Sequence, residues 1–330
     1  MSRISILGAG AWGTALALSL ARRGGHEICL WAHSPALADQ LLEHGENLPY
    51  LPGFTLPTGI EVTHDLLGCI FEADIILCVT PSQHVRDIIT EIAPALTRDQ
   101  LLVSASKGLE ETSFLRISQV IASITNNPLA VLGGPSFAQE VAAGAPTAIV
   151  VASSYPGVGQ TVQRLFSSSS LRLYTNDDVA GVEFGGSLKN VIALASGVVH
   201  GLNLGHNSAA ALITRGIVEI TRLAIACGGR RQTLAGLSGV GDVILTCTGT
   251  LSRNRSVGIE LGRGRQLPDI IAGLHGKVAE GVRSTTAAIG LAARYDVEMP
   301  ITEQVDAILH HNKRPSDAIR DLMSRPGRDE

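Results

Sequence analysis

The chain contains few charged residues and no strongly basic stretch. Charged side chains make up 17% of its 330 residues, apolar side chains make up 45%, and the formal net charge is −4. So little charge argues against a disordered or coiled-coil protein. Without a basic surface, no nucleic-acid partner is expected. The length predicts two domains, and the apolar share is sufficient for a large core.

Cysteine motifs and long Leu-rich runs are also lacking. The five cysteines show no CxxC spacing, which predicts reduced thiols, no metal site and a cytoplasmic protein. The opening "MSRISILGAG" leads directly into a strand, so no signal peptide is expected. The longest apolar segment, near 190–202, is rich in Ala, Gly and Ser. It predicts a buried helix and no membrane span.

Short apolar runs alternate with helical segments in the first part of the chain. Helices are predicted at 11–23 and 83–93, and strands at 3–7, 26–31, 73–79, 100–106, 128–134 and 146–153. This alternation predicts a parallel, doubly wound sheet of the Rossmann type, covered on both faces. The stretch 35–72 is predicted to be rich in loops, because "LPYLPGFTLP" contains too much proline for regular structure.

The pattern changes after about residue 180. No strand is predicted beyond that point, and helices are predicted at 187–202, 207–227, 232–237, 253–263, 284–294 and 302–310. The sequence therefore predicts an α/β protein with a dinucleotide-binding domain at 1–185. An all-α domain at 186–330 is expected to bind substrate and to carry the catalytic group.

A glycine motif connects the first strand to the first helix. In "GAGAWG", Gly8, Gly10 and Gly13 have the GxGxxG spacing, in the strand-to-helix position where it predicts a dinucleotide site. Gly8 permits the tight turn, Gly10 lets the backbone approach a pyrophosphate, and Gly13 permits close packing of helix and strand. The helix N-terminus supplies N–H groups and partial positive charge.

The end of the second predicted strand lacks a carboxylate. Ala32, His33 and Ser34 stand where an NAD-specific site usually places Asp or Glu for the ribose 2′-hydroxyl. Nothing there repels a 2′-phosphate, and His33 can donate to one. The sequence therefore favours NADP(H), or use of both NADP(H) and NAD(H). The alternative is that His33 is an ordinary surface histidine.

Two polar groups follow predicted strands at the sheet edge where open α/β sheets bind ligands. Lys107 comes directly after the strand that ends in "VSAS", and a solvated loop lysine is the alternative explanation. Ser136 follows the turn formed by Gly133, Gly134 and Pro135. It either caps a helix or marks a site whose N–H groups bind an anion.

Lys189 is the only fully charged side chain between Glu183 and Arg215. Burial disfavours the charged form of an amine, so a lysine in such a segment can exchange a proton near neutral pH. Small residues on its helix face leave room for a cofactor ring. The alternative is a lysine at a helix start that extends its head into solvent.

Asp242 lies in an apolar run and requires a partner, for which a lysine is the simplest choice. Ser252, Arg253 and Asn254 follow in "SRNR", where Arg binds phosphate bidentately and Ser and Asn add neutral donors. A solvated turn is the alternative. With a nicotinamide cofactor and one acid/base lysine, these residues predict an NADP-type oxidoreductase for a small anionic carbonyl compound or alcohol.

The sequence resembles bacterial NAD(P)-dependent glycerol-3-phosphate dehydrogenase over residues 4 to about 303. The resemblance rests on motifs in order along the chain, among them "GAGAWGTALA", "SASKGLE", "GGPSFAQEVAAGAPTA", "GVEFGGSLKNVIALASG", "GVGDVILTCTGTLSRNR" and "AEGVRSTTA". It implies reversible reduction of dihydroxyacetone phosphate to sn-glycerol 3-phosphate for glycerophospholipid synthesis. It also implies a cytoplasmic enzyme. A homodimer is one assembly that this enzyme could form.

The resemblance also assigns roles to individual residues. Lys189 would donate and accept the proton. Substrate would be bound by Lys107, Gly134, Ser136, Lys189, Asp242, Ser252, Arg253 and Asn254. The cofactor would be bound by Gly8, Gly10, Ala11, Trp12, Gly13, His33, Tyr50, Lys107, Ala138, Arg253, Val278 and Glu280. The chain departs from the family in two places: Ala11 replaces a common Ser, and His33 replaces a frequent Arg.

Two other functions fit part of these observations. An NADP-dependent 3-hydroxyacid dehydrogenase of similar architecture also uses a helix lysine, but it needs a carboxylate site rather than a phosphate site. A redox sensor that binds NADP(H) and signals to a partner has no need of Lys189 or of "SRNR" beside Asp242.

Overall fold

The chain forms two compact units. In a computed structural model, which describes residues 1–273 and 280–327, the first unit contains Met1–Glu110 and Leu115–Glu183. The second contains Glu111–Phe114 and Phe184–Glu330. The division after Glu183 follows the change from alternating strands and helices to helices alone.

The first unit contains ten strands and seven complete α-helices within its described residues. In chain order these are β1 (Ser2–Leu7), α1 (Ala11–Arg23), β2 (His26–Trp31), α2 (Pro35–His44), β3 (Glu46–Asn47), β4 (Leu51–Thr55), β5 (Ile60–Thr63), α3 (Leu66–Ile70), β6 (Ile75–Cys78), α4 (Val85–Ile92), β7 (Leu101–Ser104), α5 (Ile117–Ala122), β8 (Leu129–Gly133), α6 (Ala138–Ala142), β9 (Thr147–Ala152), α7 (Val158–Phe166) and β10 (Leu171–Asn176).

Eight of these strands form one sheet, in the order β10-β9-β8-β7-β6-β1-β2-β5. The strands from β5 to β8 in this order are parallel, and the order reverses between β1 and β6, where doubly wound sheets bind their ligands. The predicted Rossmann-type sheet is confirmed. One feature differs from an all-parallel sheet: β9 pairs with β8 antiparallel, and β10 pairs with β9 parallel.

Both faces of this sheet are buried, which explains the continuous apolar strands. Successive side chains of a strand point to opposite faces. Accordingly Ile4 and Ile6 of β1 lie in the core that includes α1, whereas Leu7 lies in the core that includes α4. Each strand therefore needs apolar residues on both faces, and periodicity of two is absent from its sequence.

Two predictions for the first unit were wrong. The segment 35–72 contains α2, α3 and the strands β3 to β5, because Pro35 stands at the start of a helix and Pro52 lies in the two-stranded β3-β4 sheet. Both positions tolerate the missing N–H group. Strand β10 was not predicted, because its exposed residues Arg172 and Tyr174 interrupt the apolar run at the sheet edge.

From residue 184 onward, all regular secondary structure among the described residues is helical, as predicted. The helices of the second unit are α8 (Val179–Gly201), α9 (Gly205–Ala226), α10 (Arg231–Leu234), α11 (Asp242–Thr248), α12 (Arg253–Gly262), α13 (Leu267–Ala272), α14 (Glu280–Tyr295), α15 (Pro300–His310) and α16 (Pro315–Met323). A π-helical segment, Leu237–Gly241, leads directly into α11.

Helix α8 is the central apolar helix of this unit. It is long and apolar enough to cross a membrane by composition, but its most apolar window is completely buried within the protein. At its C-terminal end, a Cβ on Gly197 or Gly201 would collide with backbone of α12. Because these residues are glycines, the backbones of α8 and α12 come into direct contact. This contact explains why α8 has small residues at these positions.

A buried carboxylate holds the start of α15. Glu219 of α9 accepts hydrogen bonds from the N–H groups of Ile301 and Thr302, at 2.8 Å each, and from the Thr302 hydroxyl at 2.6 Å. These N–H groups belong to the helix end that has no partner within its own helix. Burial raises the pKa of the Glu219 carboxyl above its ordinary value.

This capping carboxylate gives a stability prediction. In Glu219→Gln an NH2 group would face a backbone donor, so we expect a loss of about 1–3 kcal/mol of unfolding free energy. Because the folded-state pKa of Glu219 is raised, the wild-type contribution falls as pH rises from the ordinary value near 4.3 through the folded value. The melting-temperature difference between wild type and variant should therefore be larger at pH 4 than at pH 8; an increase with pH would contradict this assignment.

Candidate active site

The glycine motif adopts the turn that its spacing predicts. Gly8 follows β1 with φ +125°, a conformation that side chains rarely permit. A Cβ on Gly13 would collide with the carbonyl oxygen of Gly8, so this glycine lets α1 pack against the turn. Gly10 is the N-cap of α1, and a Cβ there would meet nothing within 4 Å.

A residue that the sequence analysis missed supports this loop from the side. Asn47 of β3 is fully buried and donates to the Ala9 carbonyl at 2.9 Å and to the Thr14 hydroxyl at 2.8 Å. Its side-chain oxygen, Oδ1, accepts a hydrogen bond from the N–H of Tyr50. No local pattern marks Asn47 in the sequence, because its partners lie 33 and 38 residues away.

The geometry of this loop fits a dinucleotide pyrophosphate. The space beside Gly10 is open, and the first turn of α1 carries N–H groups without partners in its own helix. Ala11 and Trp12 stand in that turn, and the indole nitrogen of Trp12 is buried without a hydrogen-bond partner among residues 1–273 and 280–327. A negatively charged group is favoured at such a helix end.

The remaining predicted cofactor residues occupy different environments. His33 is exposed just beyond β2, and its ring packs edge-on against Trp31 with 5.6 Å between centroids. Tyr50 is exposed, and Ala138 is the first residue of α6. Glu280 begins α14, whereas Val278 lies outside the described residues.

Lys107 and the "GGPS" turn meet at the end of the sheet. The Lys107 amine donates to the Gly134 carbonyl at 3.2 Å and approaches the Ser136 hydroxyl at 3.5 Å. Gly134 has φ +115°, which the turn after β8 requires. Ser136 does not cap α6, whose N-cap is Phe137. Capping therefore does not explain Ser136. Its hydroxyl instead lies in a polar cluster with the Lys107 amine.

Lys189 and Asp242 form a buried ion pair within the second unit. The Lys189 Nζ lies 2.5 Å from Asp242 Oδ1, and the two side chains are 9% and 0% exposed. Asp242 therefore has the lysine partner that its apolar surroundings predict. Each charge is tolerated in the core because the other compensates for lost hydration. Burial also raises the pKa of the nearby Cys247 thiol to about 12, so this thiol stays neutral at physiological pH.

The "SRNR" motif forms the start of α12 rather than a solvated turn. Ser252 is the N-cap, and its hydroxyl accepts from the N–H of Arg255 at 3.2 Å. Asn254 is buried, and its carbonyl accepts from the N–H of Gly281 at 2.9 Å. Arg253 is exposed. The motif therefore presents a guanidinium at a helix N-terminus, which is an arrangement suited to binding phosphate.

The two units present different chemical groups. The first unit has a helix N-terminus with an open glycine, suited to a dinucleotide. The second has one buried amine whose proton is held beside a carboxylate, and a cationic helix end. Among the described residues, no group of three or more His, Cys, Asp or Glu side chains is arranged to hold a metal ion.

Comparison with known proteins agrees with these features. Residues 3–158 match the model of the NAD-dependent glycerol-3-phosphate dehydrogenase N-terminus, and residues 178–320 match that of its C-terminus. The glycerol-3-phosphate dehydrogenase (NAD(P)+) of Acidobacterium capsulatum is 59% identical, with 100% of both chains covered. That of Koribacter versatilis is 56% identical over 99% of this chain and 98% of its own.

A solved structure leads to the same family. The crystal structure of glycerol-3-phosphate dehydrogenase from Coxiella burnetii superimposes with a TM-score of 0.94. It shares 39% sequence identity and covers 98% of this chain and 99% of its own. Both halves of the chain match the same family in sequence, and the whole chain matches it in fold. The chain therefore belongs to the NAD-dependent glycerol-3-phosphate dehydrogenase family.

Proposed function

We propose that this protein reversibly reduces dihydroxyacetone phosphate to sn-glycerol 3-phosphate, with NADPH or NADH as reductant. The observation that carries the proposal is the buried ion pair of Lys189 and Asp242. A carbonyl that accepts a hydride also needs a proton on its oxygen. Lys189 supplies a proton in a segment that contains no other charged side chain from 184 to 214.

The nicotinamide cofactor supplies the hydride when it is bound. Lys189 donates its proton to the substrate oxygen in the reductive direction and accepts it in the oxidative direction. Asp242 holds the amine in place through the 2.5 Å contact and stabilises its charged form before transfer. Because both groups are buried, the amine is already oriented when substrate binds. Proton transfer then requires little reorganisation of the site.

Within the second unit, the substrate phosphate is assigned to the donors at the start of α12. Arg253 offers a bidentate guanidinium, and Ser252 and Asn254 place it by fixing the first turn of the helix. Lys107, Gly134 and Ser136 complete the assigned substrate residues. Among the described residues, no carboxylate forms an ion pair with the exposed Arg253, which keeps its guanidinium available to an anion.

The cofactor is assigned to the glycine loop, residues 8–13, with the pyrophosphate beside Gly10. Ala11 contributes through its backbone only, because it lacks a hydroxyl. His33 and Tyr50 are assigned to the adenosine half, and Ala138, Arg253, Val278 and Glu280 to the rest of the cofactor. With His33 beyond β2 and no carboxylate at that strand end, NADP(H) is accepted as well as NAD(H).

Initial rates of NADPH and NADH oxidation with dihydroxyacetone phosphate test substrate and cofactor together. We expect turnover with both cofactors and competition by inorganic phosphate against the substrate, because a phosphate site is used. Robust turnover of hydroxyisobutyrate, with none of dihydroxyacetone phosphate, would instead establish a 3-hydroxyacid dehydrogenase. Binding of NADPH without any oxidation would support a redox sensor.

We also propose that the product supplies glycerophospholipid synthesis in the cytoplasm. The five cysteines are free thiols, which supports a reducing compartment. The assembly proposed is a homodimer, and the mass of the purified protein by light scattering tests it.

A further inference from the structure

We propose that Gly185 is a positioning residue for the proton-transferring lysine. The missing side chain at Gly185 sets the distance between the Lys189 amine and the Asp242 carboxylate. This inference rests on the proposed role of Lys189. Every contact that carries it lies within Phe184–Glu330 of the second unit.

The backbone of α8 touches the π-helical segment at Gly185. A Cβ built on Gly185 would collide with the carbonyl oxygen of Ser238 and would lie 2.8 Å from its carbonyl carbon and 3.3 Å from the nitrogen of Gly239. Cβ atoms essentially never approach other atoms within 3.0 Å. Both sides of this contact are backbone, so no side-chain rotation can relieve a collision there.

The ion pair lies one turn further along both elements. Lys189 is four residues after Gly185 in α8, and Asp242 is four residues after Ser238, where the π-helical segment becomes α11. Residues four apart on a helix lie on the same face. The close backbone contact and the ion pair therefore lie in register, and the first sets the separation available to the second.

The π-helical segment is also in close contact with the backbone of α10. A Cβ on Gly239 would collide with the carbonyl oxygen of Leu234, the last residue of α10. Because Gly185 and Gly239 are both in backbone contact, we expect a larger residue at 185 to separate α8 from the segment that carries Asp242. Interiors packed at this density transmit such a displacement to the next turn.

Gly201→Ala provides a matched control for Gly185→Ala. It makes the same substitution in the same helix, and its Cβ would collide with the carbonyl oxygen of Ile259 and lie 3.0 Å from Cα of Gly262. Both variants are thus expected to push α8 away from the backbone of a neighbouring element. Gly201 lies twelve residues beyond Lys189, or about 18 Å along the helix.

We expect Gly185→Ala to lower kcat about 10- to 100-fold, because small displacements of reacting groups have effects of this size. The carboxylate favours the charged amine, so its withdrawal should move the alkaline limb of the kcat profile for reduction to lower pH. Two other titratable groups lie near the ion pair, Cys247 of α11 and Arg255 of α12, and the substitution alters neither side chain. The Kd of NADPH and the KM of substrate should stay within about twofold of wild type.

Gly201→Ala should show a similar loss of melting temperature and a wild-type pH profile. Equal pH profiles and kcat values for Gly185→Ala and wild type would overturn the proposal, as would equal losses of kcat in the two glycine variants. If Lys189→Met keeps the wild-type rate, the proposed role of Lys189 fails. If that variant is inactive while Gly185→Ala is normal, only the positioning role fails.

A second variant tests the spacing even where Gly185→Ala does not fold. Asp242→Glu adds one methylene to the carboxylate while the backbone contact stays in place. If the contact fixes the spacing, the longer side chain should be displaced from Lys189 and should lower kcat with the same shift of the alkaline limb. A wild-type rate and pH profile in Asp242→Glu would overturn the proposal. In the Gly185→Ala background, the longer side chain should raise kcat.

Discussion

Replacement of Lys189 by Met is expected to lower kcat for reduction of dihydroxyacetone phosphate by about 10²–10⁴-fold, the contribution typical of a general acid. Methionine keeps the apolar stem that packs in α8 but has no proton to donate. The glycine loop is unchanged, so the Kd of NADPH, measured by nicotinamide fluorescence, should stay at its wild-type value. Steady-state rates with saturating cofactor measure the effect on kcat.

Stability must be separated from chemistry in this variant. Removing the ammonium breaks the buried ion pair with Asp242, whose side chain is 0% exposed, and breaking such a pair from one side costs about 3–5 kcal/mol. The double variant Lys189→Met with Asp242→Asn removes both charges and should recover much of the melting temperature. It should recover none of the rate. A double variant with restored activity would show that the lysine serves folding and that the proton comes from elsewhere.

Substitution of Gly10 by Ala is expected to weaken NADPH binding about 10- to 100-fold. The backbone of Gly10 has φ −75°, which alanine adopts without strain, and its Cβ would enter open space in the protein. The fold should therefore be unaffected. If the pyrophosphate lies in that space, the methyl group must collide with it, and overpacking of this kind costs about 1–3 kcal/mol. Titration with NADPH and thermal melting measure the two quantities.

Gly59→Ala is the matched control for the glycine loop. Its Cβ also enters open space, and the residue is an exposed turn glycine between β4 and β5. Both alanine variants should have the wild-type melting temperature, but only Gly10→Ala should lose affinity for NADPH. Wild-type affinity in Gly10→Ala would exclude the open space beside this residue as the pyrophosphate site.

Local features of the sequence were sufficient for the outline of the fold and for the individual candidate residues. The apolar strands of the sheet and the glycine motif are read within windows of fewer than ten residues. The isolation of Lys189 among apolar residues and that of Asp242 in its own run are equally local. A charge that cannot be hydrated needs a partner wherever it lies, so the chemistry of each residue predicted that a partner exists.

Which groups meet, and in what geometry, was decided by the tertiary structure. The Lys189 and Asp242 side chains are 53 residues apart in sequence, and their 2.5 Å contact depends on backbone packing at Gly185 and Ser238. The antiparallel pairing of β9 and the support of the glycine loop by Asn47 are likewise long-range. Periodicity reports which residues are buried, but it contains no distance between segments. That distance follows from how closely two backbones pack. A glycine allows close packing, but the packing exists only where another segment lies against that glycine.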